Sequence, residues 1–251
     1  MKITLLGTGT SLIDQDRVQS GLLIEGKREP VLIDVGSGVL RRLVQTGTEI
    51  TAINHVFISH FHVDHCSDFL PLYQSLWLEN YDKTLTLYGP PSMKEWSRGV
   101  YDVAFPYLRD RIAMEQRVLE EKDAIYIDDL VVTTTPTTHG SYESRAFRIE
   151  SGSNSIVYSS DTAPCRELIE LAKGVDILIH ECNWLDGDHK PGIHTSPSEL
   201  TSIVEGIQPG KVILTHLSPE VIEHGDEVIS IVGRRTNAEI ALAEDLMTIE
   251  I

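Results

Sequence analysis

The chain has 251 residues, of which 41% are hydrophobic, and its formal net charge is −17. This length and apolar content are sufficient for a sizeable core, and we expect a single domain over residues 1–251. The strong negative charge repels polyanions, which argues against long nucleic acid as a partner and leaves a small anionic or ester substrate as the expectation.

The N-terminus and the cysteines bear on the cellular compartment. Residues 1–7 lack the basic start and apolar segment of a secretory signal, and no apolar run approaches the length of a membrane span. Three cysteines that are far apart in sequence do not form the pattern of a disulfide framework. We therefore expect a cytoplasmic protein with no membrane association, in which the thiols are reduced; they are Cys66, Cys165 and Cys182.

The N-terminal half alternates between predicted strands and helices. Apolar runs with alternation predict strands, and apolar residues at helical spacing predict helices. The predicted strands are 2–6, 21–25, 30–35, 56–59 and 85–88. The predicted helices are 37–46, 68–79 and 92–119. The aromatic residues within 96–107 either overhang a site or pack between subunits, as in a homodimer.

The C-terminal half repeats the same arrangement. The predicted strands are 130–138, 146–149, 155–159, 175–179, 211–215, 239–241 and 246–251. The predicted helices are 164–173, one that begins at Ser196 and ends near Gln208, and a further one in the tail. Ser196, Pro197 and Glu199 form a helix-start pattern, because Ser caps, Pro suits the first turn and Glu returns a hydrogen bond. Strands before helices in both halves predict two sheets packed inside flanking helices.

One short segment contains four candidate metal ligands. The sequence His60-Phe61-His62-Val63-Asp64-His65 follows the apolar run 56–59. Neutral imidazoles and a carboxylate suit Zn²⁺ and similar divalent ions. In an extended segment His60, His62 and Asp64 would point to one side, and a turn near Asp64 would direct His65 toward a second centre. This pattern predicts two metal ions.

Three more candidate ligands each follow an apolar strand. His139 comes after 130–138, Asp161 after 156–160 and His216 after 212–215. Each one alone would be read as a structural histidine or a turn aspartate. Because strand ends meet at a common edge, the three together with the His-rich segment predict a cleft that holds two ions about 3.5–4 Å apart.

These motifs resemble those of the metallo-β-lactamase superfamily over almost the whole chain. The resemblance implies an α/β fold, a four-layer αβ/βα sandwich with a dinuclear site along one edge of the two sheets. It implies one metal held by His60, His62 and His139, a second held by Asp64, His65 and His216, and Asp161 bridging them. The implied nucleophile is a metal-bound water or hydroxide. Zinc is the expected metal, with manganese or iron as alternatives.

Within the superfamily, three further segments are similar to the ribonuclease Z branch and related phosphodiesterases. They are Gly7-Thr8-Gly9-Thr10-Ser11 with Arg17 shortly after, His180-Glu181-Cys182, and His194-Thr195-Ser196. The resemblance implies that His194 protonates the leaving oxygen or stabilises transition-state charge, and that Glu181 orients its imidazole. With the metal ligand Asp64, these are the implied catalytic residues.

Two departures from the ribonuclease Z pattern favour a smaller substrate. The interval 139–160 is too short for the basic arm that clasps transfer RNA, and Ser67-Asp68-Phe69 stands where a Gly-Leu-Pro type sequence is usual. The leading hypothesis is therefore a dinuclear metal-dependent phosphodiesterase without the RNA-binding arm, with a nuclease as its close variant. The alternatives are a thioester or lactone hydrolase of glyoxalase II or lactonase type, and a non-enzymatic binding module stabilised by metal.

Overall fold

The computed structural model describes residues 1–121 and 123–251, and within them the strands form two seven-stranded sheets. The first sheet has the order β14-β1-β2-β3-β4-β5-β6. Its strands are β1 Lys2–Gly7, β2 Gly21–Glu25, β3 Pro30–Ile33, β4 His55–Phe57, β5 Thr84–Gly89, β6 Ala113–Val118 and β14 Met247–Glu250. The second sheet has the order β13-β12-β11-β10-β9-β8-β7. Its strands are β7 Ala124–Ile127, β8 Leu130–His139, β9 Tyr142–Ser151, β10 Asn154–Tyr158, β11 Ile177–Glu181, β12 Lys211–Thr215 and β13 Glu239–Leu242.

The helices lie between strands and cover the outer faces of the sheets. The α-helices are α1 Val39–Gln45, α2 Val63–Cys66, α3 Phe69–Leu78, α4 Met93–Arg98, α5 Arg166–Leu171, α6 Pro197–Ile207, α7 Pro219–Glu223 and α8 Gly225–Val232. At the start of α6, the expected capping box between Ser196 and Glu199 is present. None of the helices among the described residues has the length and apolar character needed to cross a bilayer.

Three apolar clusters separate four layers. The central cluster lies between the sheets, where Phe57 of the first sheet packs edge-on against Phe147 of the second, with ring centroids 5.7 Å apart. A second cluster joins the first sheet to α1 and α3, and a third joins the second sheet to α5, α6 and α8. Helices on both outer faces of two packed sheets form the αβ/βα sandwich, so the predicted fold class is confirmed.

Parallel strands bring polar residues to one edge of each sheet. In the first sheet β3, β4 and β5 are parallel neighbours, and in the second sheet β10, β11 and β12 are. Ligands of such sheets bind beyond the carboxyl ends of the parallel strands. Asp34 and His60 follow β3 and β4, whereas Asp161 and His216 follow β10 and β12, which explains how distant parts of the chain meet.

The region 92–119 was predicted to be one helix, and that prediction is wrong. α4 ends at Arg98, a wide π-helical turn covers Gly99–Ala104, and the chain leaves helical geometry at Phe105. Phe105 precedes Pro106, whose ring disfavours helical dihedral angles in the residue before it. The segment then becomes β6, which pairs with β5 at the edge of the sheet, and its charged residues point largely to solvent.

Candidate metal centre

The His-rich segment is held by a loop and a single helical turn. β4 ends at Phe57, three residues before His60, and Asp64 lies within the short helix α2. The expectation that Asp64 extends along a strand with His60 and His62 is therefore wrong. The carbonyl of Asp64 lies so close to Gly36 that a Cβ at Gly36 would be 2.0 Å from it, so a glycine is required there.

The structure brings all seven predicted ligands together, in two groups that share one carboxylate. The first group contains His60, His62, His139 and Asp161. Nδ1 of His62 lies 3.0 Å from Nε2 of His60 and 3.2 Å from Nε2 of His139. Ligand atoms that surround a tetrahedral zinc ion lie about 3.3 Å apart, so this spacing suits such an ion. The second carboxylate oxygen of Asp161, Oδ2, is 3.8 Å from both His60 and His139.

The second group lies on the other side of the same aspartate. It contains Asp64, His65, Asp161 and His216. Oδ1 of Asp161 is 3.3 Å from Nε2 of His65 and 3.5 Å from Nε2 of His216, which is itself 3.2 Å from Oδ2 of Asp64. Because one oxygen of Asp161 faces each group, this carboxylate is placed where it could bridge two ions.

The electrostatics of the two groups suit cations. Burial lowers the pKa of His60 well below its usual range and also lowers that of His62, so both imidazoles keep a free lone pair. In the second group, burial opposes ionisation of Asp161, but the charges of His216 and His65 hold its pKa well below its usual range. Buried ionised carboxylates favour a positive charge among them.

Asp34 supports the site, although the sequence analysis placed it inside a predicted strand. It is fully buried, and its carboxylate accepts hydrogen bonds from Nδ1 of His65 at 2.7 Å and from the backbone N–H of Ser59 at 2.7 Å. The hydroxyls of Ser59 and Tyr158 also donate to it. Such contacts fix the ring orientation of a metal-ligating histidine. The presence of an aspartate in the otherwise apolar run 30–35 is the feature of the sequence that could have indicated this role.

Half-buried His194 and fully buried Glu181 form a pair beside the two groups of candidate metal ligands. Nδ1 of His194 lies 2.7 Å from Oε1 of Glu181, whose carboxylate also accepts the backbone N–H of Thr162. Although burial favours neutral imidazole, the Glu181 carboxylate raises the pKa of His194 above its usual value. The arrangement can hold a proton on His194 and directs its other ring nitrogen, Nε2, away from Glu181.

Two aromatic residues that the sequence analysis did not assign to the site flank it on opposite sides. The ring of Trp184 lies 5.1 Å from that of His194, and the ring of Tyr142 lies 4.1 Å from that of His62, measured between centroids. Trp184 follows β11 and Tyr142 begins β9 after the turn at Gly140 and Ser141. Only the folded chain brings them to the metal groups, and no spacing in the sequence indicated it.

The remaining candidates from the sequence have structural positions. The three cysteines are free thiols and buried, as expected, and burial raises the pKa of Cys66 to about 12. In the glycine turn 7–11, the backbone N–H of Thr8 donates to Asp245, which leaves it unavailable to an external anion. Arg17 donates to the Thr8 hydroxyl and to the carbonyl of Ala243, so it anchors this turn.

Comparison with known protein families gives one match that covers most of the chain. The family model described as "Anti-Pycsar protein Apyc1" matches residues 1–232. This range includes both metal groups and the pair formed by Glu181 and His194.

Individual relatives and structures agree with the architecture. Ribonuclease Z of Methanosarcina mazei is 25% identical over 302 aligned positions, which cover 100% of this chain and 98% of the relative. The uncharacterized protein Rv1339 of Mycobacterium tuberculosis is 30% identical over 230 positions, with coverage of 87% and 81%. The crystal structure of the metallo-β-lactamase fold protein YhfI from Bacillus subtilis superposes with a TM-score of 0.87 at 24% identity, covering 100% of this chain and 99% of YhfI.

Proposed function

Because this chain belongs to the family of the anti-Pycsar protein Apyc1, within the metallo-β-lactamase superfamily, we propose that it is a phosphodiesterase with two metal ions that acts on a small diester. The chain is a metal-dependent hydrolase, as its ribonuclease Z relatives and its fold indicate. The observation that carries the finer proposal is the pair of buried Glu181 and half-buried His194 beside the two metal groups, because this pair supplies the proton donor that cleavage of a phosphodiester needs in addition to metals.

The residues of the two groups fit divalent ions. Nε2 of His65 and Oδ1 of Asp161 are buried, face each other and have no hydrogen-bond partner among the described residues, and a cation would satisfy both. His60, His62 and His139 would hold one ion, and Asp64, His65 and His216 the other, with Asp161 between them. Zinc suits the imidazole-rich first group best. Bound ions of this kind supply Lewis acidity and lower the pKa of a water molecule that attacks phosphorus.

His194 has the position of a general acid, and the carboxylate of Glu181 favours its protonated form. When the oxygen of water bonds to phosphorus, the bond from phosphorus to the leaving oxygen breaks, and an alkoxide leaves unless it receives a proton. His194 donates that proton, and Glu181 keeps the imidazole protonated and correctly oriented. Asp34 similarly orients the ring of His65, through a hydrogen bond with Nδ1.

The same pair argues against the alternative of a thioester hydrolase. A thiolate is a much better leaving group than an alkoxide, since the pKa of a thiol is about 8.5, and it leaves without a strong acid. A histidine whose protonated form is stabilised by a carboxylate is therefore not needed for a thioester, whereas a lactone, whose leaving group is an alkoxide, is separated from a phosphodiester by the substrate screen below. The other alternative, a non-enzymatic binding module, does not agree with membership of a hydrolase family.

We place small diesters ahead of RNA. The relative from Methanosarcina mazei is named ribonuclease Z, which makes RNA the rival substrate. However, β8 and β9 are joined by a tight turn at Gly140 and Ser141, and the interval from His139 to Asp161 contains no inserted arm. The net charge of −17 also opposes binding of a long polyanion.

The test is a substrate screen on protein reconstituted separately with zinc, manganese and iron. The panel contains cyclic nucleotides, linear diesters, RNA, lactones and thioesters, and an Asp161→Ala protein serves as the matched negative control. We expect hydrolysis of small phosphodiesters at rates well above those for lactones and thioesters. Turnover of thioesters or lactones without turnover of any diester would overturn the proposal. Cleavage restricted to RNA would overturn the proposal that the substrate is a small diester.

A further inference from the structure

The active cleft has two distinct ends, which a row of aromatic rings connects. From Trp184 the row passes to His194, then to His139 at 5.0 Å, to His62 at 5.0 Å and finally to Tyr142, all measured between ring centroids. His139 and His62 belong to the first metal group, and the ring of His216, from the second group, lies 5.5 Å from that of His194. A substrate bound at the metals therefore extends toward Trp184 on one side and toward Tyr142 on the other.

Each end opens into a cavity of its own. The cavity at the Trp184 end has a volume of about 460 Å³ and is lined by Trp184, Asn183, Thr10, Ser218 and Glu220 together with His194. The indole stacks on the imidazole of His189, with 4.6 Å between centroids and 17° between planes, which fixes its orientation. This cavity offers an aromatic wall, an amide and hydroxyls, which are groups that bind a planar ring and sugar hydroxyls.

The cavity at the Tyr142 end differs in its charges. It has a volume of about 690 Å³, and its lining includes Lys94 and Arg98 as well as Glu95 and Glu143. The Glu143 carboxylate already accepts the backbone N–H of Ser92. Among the described residues, no lysine or arginine lines the Trp184 cavity, where Glu220 is the acidic side chain. The two ends therefore treat negative charge on a substrate differently.

The position of the general acid assigns the two cavities to the two halves of a diester. His194 must reach the leaving oxygen to protonate it, and His194 lines the Trp184 cavity. The leaving alcohol then occupies the Trp184 cavity, and the group that stays on phosphorus extends toward Tyr142. A leaving alcohol that carries its own negative charge away from the phosphate would lie beside Glu220, in a cavity that no lysine or arginine lines among the described residues.

We propose that the cleft selects its substrate by charge and direction: the Trp184 cavity accepts an uncharged, ring-bearing leaving alcohol, and negative charge is accepted only on the retained group near Lys94 and Arg98. This inference rests on the proposed phosphodiesterase function. It rejects an oligonucleotide as leaving alcohol, because that alcohol carries further phosphates. It accepts a diester whose leaving alcohol is a nucleoside-like group.

The experiment uses three nitrophenyl diesters that differ only in the position of one carboxylate. The reference is methyl 4-nitrophenyl phosphate. The second substrate carries the carboxylate on a nitrophenol of similar acidity, and the third carries it on the retained alkyl group. In each case the nitrophenol leaves, because it is far more acidic than the alkyl alcohol, so the identity of the leaving half is known for all three substrates. At low salt, we expect kcat/KM to fall by about threefold or more for the second substrate and to change less for the third, because exposed charges interact modestly and are screened by salt.

Substitutions in each cavity test the two ends of the cleft separately. Glu220→Gln should restore much of the turnover of the second substrate, whereas Glu223→Gln, on the same helix but outside the cavity lining, should leave the ratio unchanged. The double change Lys94→Gln and Arg98→Gln should lower turnover of the third substrate relative to the reference. None of these residues contacts the metal groups. An unchanged rate on the reference diester therefore shows that the catalytic site of a variant is intact.

The outcomes distinguish this inference from the proposed function. If no diester is hydrolysed by the metal-loaded protein, the phosphodiesterase proposal fails. If the reference diester is hydrolysed but the carboxylate reduces kcat/KM equally in both positions, or if Glu220→Gln has the same effect as Glu223→Gln, charge selection by the two cavities is wrong.

Discussion

The carboxylate of Glu181, at the end of β11, lies 2.7 Å from Nδ1 of His194, which precedes α6 by a short loop. The side chain of Glu181 is almost fully buried, and that of His194 is 11% exposed, so the pair has one face toward the cleft. A carboxylate at this distance favours the protonated form of the imidazole, and a protonated histidine that faces the cleft can donate a proton to a leaving oxygen.

Removal of the general acid should have an effect that depends on the leaving group. We expect His194→Ala to lower kcat by about 10²–10⁴ for a diester with an alkoxide leaving group, which is the usual contribution of general acid catalysis. The loss should be much smaller for bis-p-nitrophenyl phosphate, since p-nitrophenolate leaves without protonation. Steady-state rates over a series of leaving groups measure this difference. His224→Ala, an exposed histidine outside the cleft, is the control, and a uniform loss for all leaving groups would refute the assigned role.

The shared carboxylate predicts how metal content responds to substitution. Wild-type protein should retain about two ions per chain, and His62→Ala about one, because only the first group loses a ligand. Asp161→Ala should weaken both sites, since one oxygen of Asp161 faces each group. Metal content after gel filtration, measured by mass spectrometry, provides the comparison. Retention of two ions by Asp161→Ala with unchanged affinity would contradict the bridging position.

Asp34 should act on metal affinity without contacting the metal. Asp34→Asn preserves size and tolerates the positive φ of 59° at this position, but it replaces the acceptor for Nδ1–H of His65 with a weaker, neutral group. Loss of such support typically costs about 10–100-fold in metal affinity. Competition with a chelator of known affinity measures the change. Tyr158→Phe removes one donor to Asp34 and leaves the contact with His65, so its effect should be smaller.

How far the sequence predicts this protein depends on whether the signal is local. The ligands from His60 to His65 and the residues His139, Asp161 and His216 each follow an apolar strand. This pattern can be read from the sequence alone. Trp184 lies in the long connection between β11 and α6, and Tyr142 is the first residue of β9, so neither follows an apolar strand into a ligand motif and neither has such a signal. The error at 92–119 has a similar origin, because pairing of β6 with β5 overrides a helical pattern of charges.

A histidine far from the metal groups should make stability depend on pH. Burial lowers the pKa of His55 below its ordinary value, although Glu29 lies 3.1 Å away and favours the charged form. The unfolded chain therefore binds a proton more readily than the folded chain, and this contribution to stability is present above pH 6.5 and lost as the pH falls below it.

Urea unfolding of wild-type protein and His55→Gln at pH 7.5 and pH 5.5, at about equal metal loading, checks this sign. The difference in free energy of unfolding between the two proteins should shrink at the lower pH. His224→Gln should show the opposite trend, because a hydrogen bond to the carbonyl of Glu220 raises the pKa of this exposed histidine. A difference for His55→Gln that grows at pH 5.5 would mean that the interaction with Glu29 outweighs burial.

The most direct test of the metal centre is a crystal structure of protein reconstituted with zinc, with diffraction data recorded on both sides of the zinc absorption edge. The account predicts two anomalous peaks on either side of the Asp161 carboxylate, one next to His60, His62 and His139 and the other next to Asp64, His65 and His216. The absence of a peak at these residues, or a single peak in one group with the other empty at saturating zinc, would contradict it.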